Sequence, residues 1–182
     1  MIPVEYLWLT LFVLTAVIGA TRGLAKELGT STILLLCLFA LRFGWEQIGA
    51  KIVAAVPGQM PAAEVEALYY IVVISFVAFI SYEGIVLQFP MKNQVGIVKT
   101  ILGFLGGLLN GYLLVGSVWD ATNMAKYFGL GVPLGSTGQT VQIANTLTAL
   151  HQTLTQYLPL TFVPEFVFLA LGIILLLAIV LK

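Results

Sequence analysis

Groups able to do chemistry are sparse in this 182-residue chain, and most of them lie inside hydrophobic runs. Glu83, in ISYEGIVLQF, and Arg42, in LFALRFGWEQ, are ionisable side chains in such runs. A charge there is protonated, paired or close to water, and it can mark an ion route as readily as a structural contact. For Glu83 the basic partners at hand are Lys92 and Lys99; Arg42 can rise beside Trp45 or pair with Glu46. Asn110, in GFLGGLLNG, carries an amide that would be costly against hydrocarbon and is expected to bond across a helix interface. A second polar group, Arg22, Lys26 and Glu27, sits in a short elbow, TRGLAKELG.

Catalysis needs more than this. His151 and Cys37 are each the single residue of their kind, and HExxH, GxSxG, Walker and CxxC patterns are missing. A non-enzymatic chain with no metal and no cofactor is the expectation. Cys37, within ILLLCLFAL, is expected to be a small buried hydrophobe.

The elements that hold these residues follow from composition. Hydrophobic residues make up 60% of the chain and charged residues only 9%, against roughly a quarter in an ordinary soluble domain. With a mean hydropathy of +1.05, most outward-facing side chains must meet lipid. Eight basic residues balance eight acidic ones, so no net field recruits nucleic acid, and no long basic cluster points to anionic lipid. The apolar stretch from Leu7 to Ala20 lacks a positive flank and has only Glu5 ahead of it, so it is expected to be an uncleaved first span rather than a signal peptide.

Five stretches approach the roughly 20 apolar residues that cross a bilayer: 3–21, 30–48, 67–87, 98–119 and 162–181. None alternates polar with apolar as a barrel strand would, so the fold expected is all-α, a polytopic membrane protein of about five transmembrane helices. Residues 1–119 would form a four-span domain, 120–161 an extramembrane segment, and 162–182 the last span. Within the segment, Ile143, Leu147, Leu150, Leu154 and Leu158 recur at helical spacing opposite Asn145, Thr148, Gln152, Thr155 and Gln156. That pattern predicts one outer amphipathic helix ended by Pro159, with an uncharged polar face better suited to protein than to a lipid surface.

Arg22, Lys26, Lys92, Lys99 and Lys182 fall on one side of this topology and Arg42, Lys51 and Lys126 on the other. The bias predicts an outside N-terminus and a cytoplasmic C-terminus. Trp8, Trp45 and Trp119 fall near predicted span ends, where interfacial anchoring explains them. Gly103, Gly107 and Gly111, four apart, form a small-residue stripe that lets another backbone approach closely, either within the chain, in a homo-oligomer or against a partner protein.

Two of these patterns resemble a known family. Arg22-Gly23-Leu24-Ala25-Lys26-Glu27 looks like the RG-x-x-[RK]-E elbow of the colicin V production protein (CvpA) family, and Leu102-Gly103, Gly107 and Gly111 are similar to its LG-x-x-x-G-x-x-x-G signature. The resemblance extends over about residues 1 to 160, with the amphipathic segment ending at Leu158-Pro159 similar to the family's tail. Where family members often carry Arg before the last glycine, this chain has Asn110, and the fifth span is additional. The resemblance implies a bacterial inner-membrane protein involved in colicin V export and envelope-related phenotypes, with no established catalytic activity. The alternatives are an accessory subunit of a larger, energy-transducing membrane complex and a small oligomeric channel or transporter using Glu83 and Asn110.

Overall fold

The computed structural model describes residues 3–56, 58, 60–83, 87–91, 96–133, 140–142 and 147–181. Helix α1 (Val4–Arg22) stops at Gly23, whose φ of 85° is open to a residue without Cβ, and α2 (Leu24–Ala55) restarts at the next residue. The elbow is therefore one residue rather than a loop reaching Gly29. Lys26 and Glu27 lie in the first turns of a 32-residue helix, where a carboxylate complements the positive end of the helix dipole. Arg42, Glu46 and Lys51 do not interrupt α2, since long charged side chains are good helix formers.

Helix α3 (Ala62–Glu83) starts and ends earlier than the predicted third span. Helix α4 (Gly96–Gly111) continues through a wide turn at Tyr112–Gly116, with the looser winding of a π-helix, into α5 (Ser117–Met124). The three form one 29-residue apolar rod, Gly96–Met124. Asp120, placed by sequence at the start of the extramembrane segment, is inside this rod and almost fully buried. Its two carboxylate oxygens accept the Thr161 backbone N–H at 2.7 Å and the Thr161 hydroxyl at 2.8 Å, which is why the helix can carry it.

After α5 the chain turns sharply at Lys126–Gly129, with Lys126, Tyr127 and Phe128 all at positive φ (47°, 57° and 54°). Each residue so held costs roughly 1–2 kcal/mol, offset here by burial of Tyr127 and its hydrogen bond to Trp119. Two short strands follow, β1 (Gly131–Pro133) antiparallel to β2 (Thr140–Gln142), with Val132 opposite Val141; this hairpin is a small addition to an all-α fold.

The predicted amphipathic helix is shorter than its pattern. Ile143 and Asn145 lie outside the described residues, and α6 spans Ala149–Thr155, capped by the Thr148 hydroxyl on the His151 N–H. Its inward face follows the predicted one at Leu147, Leu154 and Leu158, with His151 added to it and Leu150 left exposed. A short α7 (Pro159–Phe162) precedes α8 (Glu165–Val180). Among the described residues four helices are thus long and apolar enough to cross a membrane, while α8, at 16 residues, is about 24 Å long, a little under a hydrocarbon core of about 30 Å.

Helix α2 is central, flanked by α3, α4 and α8, and α1 packs chiefly on α4. Leu34, Leu38, Leu41, Ile74, Leu113 and Phe168 form the core between them. Outward faces such as Val13 and Val17 on α1, Val72 and Phe76 on α3, and Ile174 on α8 are exposed and apolar, as lipid contact requires.

Candidate functional site

Helix α4 presents small residues to two neighbours at once. A Cβ built on Gly107 would lie 2.9 Å from Ala16 Cα and 3.0 Å from Gly19 Cα, and one on Gly103 would meet the Gly19 carbonyl and Gly23 Cα. The stripe is therefore covered by α1 within the chain, and a self-association or partner contact through it has no open face to use. One position away, Gly106 faces α2, where a built Cβ would lie 2.7 Å from Glu27 Cβ. At Gly106 and Gly107 α4 thus lets α2 and α1 approach together.

That approach buries Glu27, which has no exposed surface. Arg22 Nη1 pairs with its Oε1 at 2.8 Å, and the Asn110 amide donates to Oε2 at 2.7 Å and lies 2.9 Å from the Glu27 backbone carbonyl. Ser31 Oγ is 2.7 Å from Asn110 Oδ1, and the Tyr82 hydroxyl reaches Oε2 at 3.5 Å. Arg22 also donates to the Ser81 carbonyl at 3.2 Å and to Thr30 at 3.5 Å, and its guanidinium lies over the Tyr82 ring, 4.2 Å from the centroid. The result is a closed network across α1, α2, α3 and α4. It lies about 15–21 Å inside the start of α4, because Glu27 is level with Gly106 and bonds Asn110, ten and fourteen residues into that helix.

The structure sorts the candidate residues accordingly. Arg22, Glu27, Asn110 and the glycines meet in one place. Lys26 stays exposed beside them, on the wall of a cleft of about 90 Å³ that Arg22, Thr30, Ser81, Tyr82 and Glu83 also line. Glu83 is the exposed last residue of α3; among the described residues the ion pair present is Arg22–Glu27, and Lys92 lies outside them. Arg42 is about 27 Å along α2 from its start, donating to the Val163 carbonyl at 2.8 Å, so Glu83 and Arg42 do not form one polar site. Ser31, Tyr82 and Gly106 are the residues that sequence reasoning missed. Ser31 falls one turn beyond Glu27, a spacing that could have flagged it.

A second buried cluster closes the opposite end. Glu5 on α1 accepts from the Thr148 hydroxyl, and His151 Nε2 lies 3.2 Å from Asn123 Oδ1 and 3.4 Å from the Tyr127 hydroxyl. Tyr127 accepts from Trp119 Nε1 at 3.1 Å, and Trp119 stacks on Trp8 with centroids 6.0 Å apart. Trp8 and Trp119 are thus core residues rather than interfacial anchors. Burial pushes the His151 pKa below its usual value, and the Glu5 carboxylate opposes that shift.

Fold and site together define a helical, multi-pass membrane protein with a buried carboxylate network at one end. No family model matches the chain, and no curated protein or solved structure matches it either.

Proposed function

We propose that the chain is a non-enzymatic, CvpA-like protein of the bacterial inner membrane that supports envelope or export function through helix–helix interactions. The observation that carries this reading is the meeting of its two motifs. Residues 22–27 and the glycine run from Gly103 to Gly111, far apart in sequence, pack into one unit through Gly103 on Gly23, Gly106 on Glu27 and Asn110 on Glu27. Their polar atoms are matched to one another, as expected of a device that fixes helix positions rather than one that turns over a substrate. With the glycine stripe covered, contact with other membrane proteins falls to the apolar outer faces of α1, α3 and α8. The cytoplasmic side in this reading is the end that carries Arg22, Lys26 and Lys99.

Gentle detergent extraction of the native membrane, followed by mass analysis of everything migrating with the chain, tests the proposal. A small assembly of the chain alone or with export or envelope proteins supports it. A fixed stoichiometric place among the subunits of an energy-transducing complex would replace it with the accessory-subunit reading.

A further inference from the structure

The segment that covers the second cluster depends on a few side-chain contacts for its order. Helix α6 has seven residues, and a helix shorter than about 12–15 residues has little stability of its own in water. Leu147 and Leu154 pack against Trp8, Trp119, Tyr127 and Leu158, a cluster apart from the core around Leu34 and Ile74. Thr148 pins the start of the helix to Glu5, and His151 pins its middle to Asn123 and Tyr127. The far end is fastened separately. Tyr112 donates to the Tyr157 carbonyl at 2.8 Å, and Pro159 is buried against Gly116.

The pin at His151 accepts one protonation state. An amide oxygen accepts and does not donate, so the Nε2 that faces Asn123 Oδ1 at 3.2 Å carries the proton of the neutral ring. Nδ1 is then bare, and it is buried without a hydrogen-bond partner among the described residues. A proton added there makes a buried cation with an unmatched N–H. Burial already holds the His151 pKa below its usual value, against the pull of the Glu5 carboxylate. Glu5 faces the ring from α1 and Tyr127 from the turn after α5. Glu5 Oε2 is also unpartnered, but among the described residues it makes no ion pair with the ring. Asp120 on α5 is engaged by Thr161, and Lys126 is exposed.

We propose that residues 147–156 form an acid-released strap. When His151 takes up a proton, α6 swings off the bundle about its anchor at Tyr157–Pro159 and uncovers the Trp8–Trp119 pair, while the four long helices stay folded. The release is independent of the envelope reading; only the compartment whose pH the strap senses rests on the proposed orientation, which puts this end outside the cytoplasm.

The test places a nitroxide label at Gln152→Cys or at Val72→Cys, both exposed, in a Cys37→Ala background of the full chain in phosphatidylcholine nanodiscs. As pH falls below about 6.5, the ordinary histidine value, the label at 152 is expected to become severalfold more mobile and the label at 72 to stay unchanged. His151→Gln should leave one mobility at 152 at every pH. Glu5→Gln keeps an oxygen for Thr148 but removes the charge that favours the imidazolium, so it should move the midpoint to lower pH. The strap is overturned by a wild-type label at 152 that keeps its mobility or tightens in acid, or by loosening at 152 and 72 together, which is general unfolding. A transition that survives His151→Gln, or a midpoint that Glu5→Gln leaves in place or raises, would overturn it as well.

Discussion

Glu27 carries a carboxylate to a depth where an unpaired charge costs several kcal/mol, and every atom around it answers that cost. Arg22 matches its charge while Asn110 and Tyr82 bond its second oxygen. Removing one partner should therefore hurt far more than removing both. Glu27→Leu or Arg22→Leu alone should lower stability by about 3 kcal/mol or more, and the double change by clearly less. Denaturant titration in micelles measures this cycle; additive losses would show that the pair does not act as a unit. His151 gives a residue-scale expectation at the other end. Burial disfavours its imidazolium, so the folded chain binds this proton less tightly than the unfolded chain, where His titrates near about 6.5. The stabilisation is complete above that value and is lost as pH falls below it. Hydrogen-exchange protection across residues 149–155, measured against the intrinsic rate at each pH, should fall on acidification, and His151→Gln should flatten the dependence. Little of this was legible in sequence: His151 looked solitary, because Glu5, Asn123 and Tyr127 reach it only through the fold.

At the scale of elements, hydropathy located the four long helices, since lipid leaves few other places for such runs. It misjudged their ends. Charged residues look like loops, yet Lys26, Glu27 and Asp120 all lie in helices, Glu27 and Asp120 because partners match them and Lys26 because it stays exposed. The amphipathic pattern gave the helix and most of its buried face, through Leu147, Leu154 and Leu158, but not the inward placement of His151 on Asn123 and Tyr127. The glycine stripe was legible as an interface, and only packing could show that α1 occupies it. Gly107→Leu should accordingly destabilise the isolated chain by about 3 kcal/mol, because the obstruction is backbone at Ala16 and Gly19 and cannot swing aside. Ile97→Ala, on the exposed face of the same helix, should change little. Thermal unfolding compares the two; a Gly107→Leu chain as stable as wild type would mean that α1 does not sit on this face.

Over the whole molecule, polar chemistry is gathered at the two ends of the bundle and separated by a core of Leu34, Leu38, Ile74 and Phe168. The Glu27 network ties α1, α2, α3 and α4 at the end bearing Lys26 and Lys99. Glu5 with His151, Asp120 with Thr161 and Arg42 with Val163 tie the other. In the proposed orientation the first end faces the cytoplasm. A single cysteine introduced at Lys26 in a Cys37→Ala background should resist a membrane-impermeant maleimide in intact cells, whereas one at Lys126 should react; the reverse pattern would invert the topology. In the proposed function the buried carboxylate holds helices together and does not conduct. Proton and cation flux into liposomes containing the purified chain tests that most directly. Wild type and Glu27→Gln should both match protein-free vesicles, whereas a wild-type flux abolished by Glu27→Gln would make the network a transport site and contradict the account.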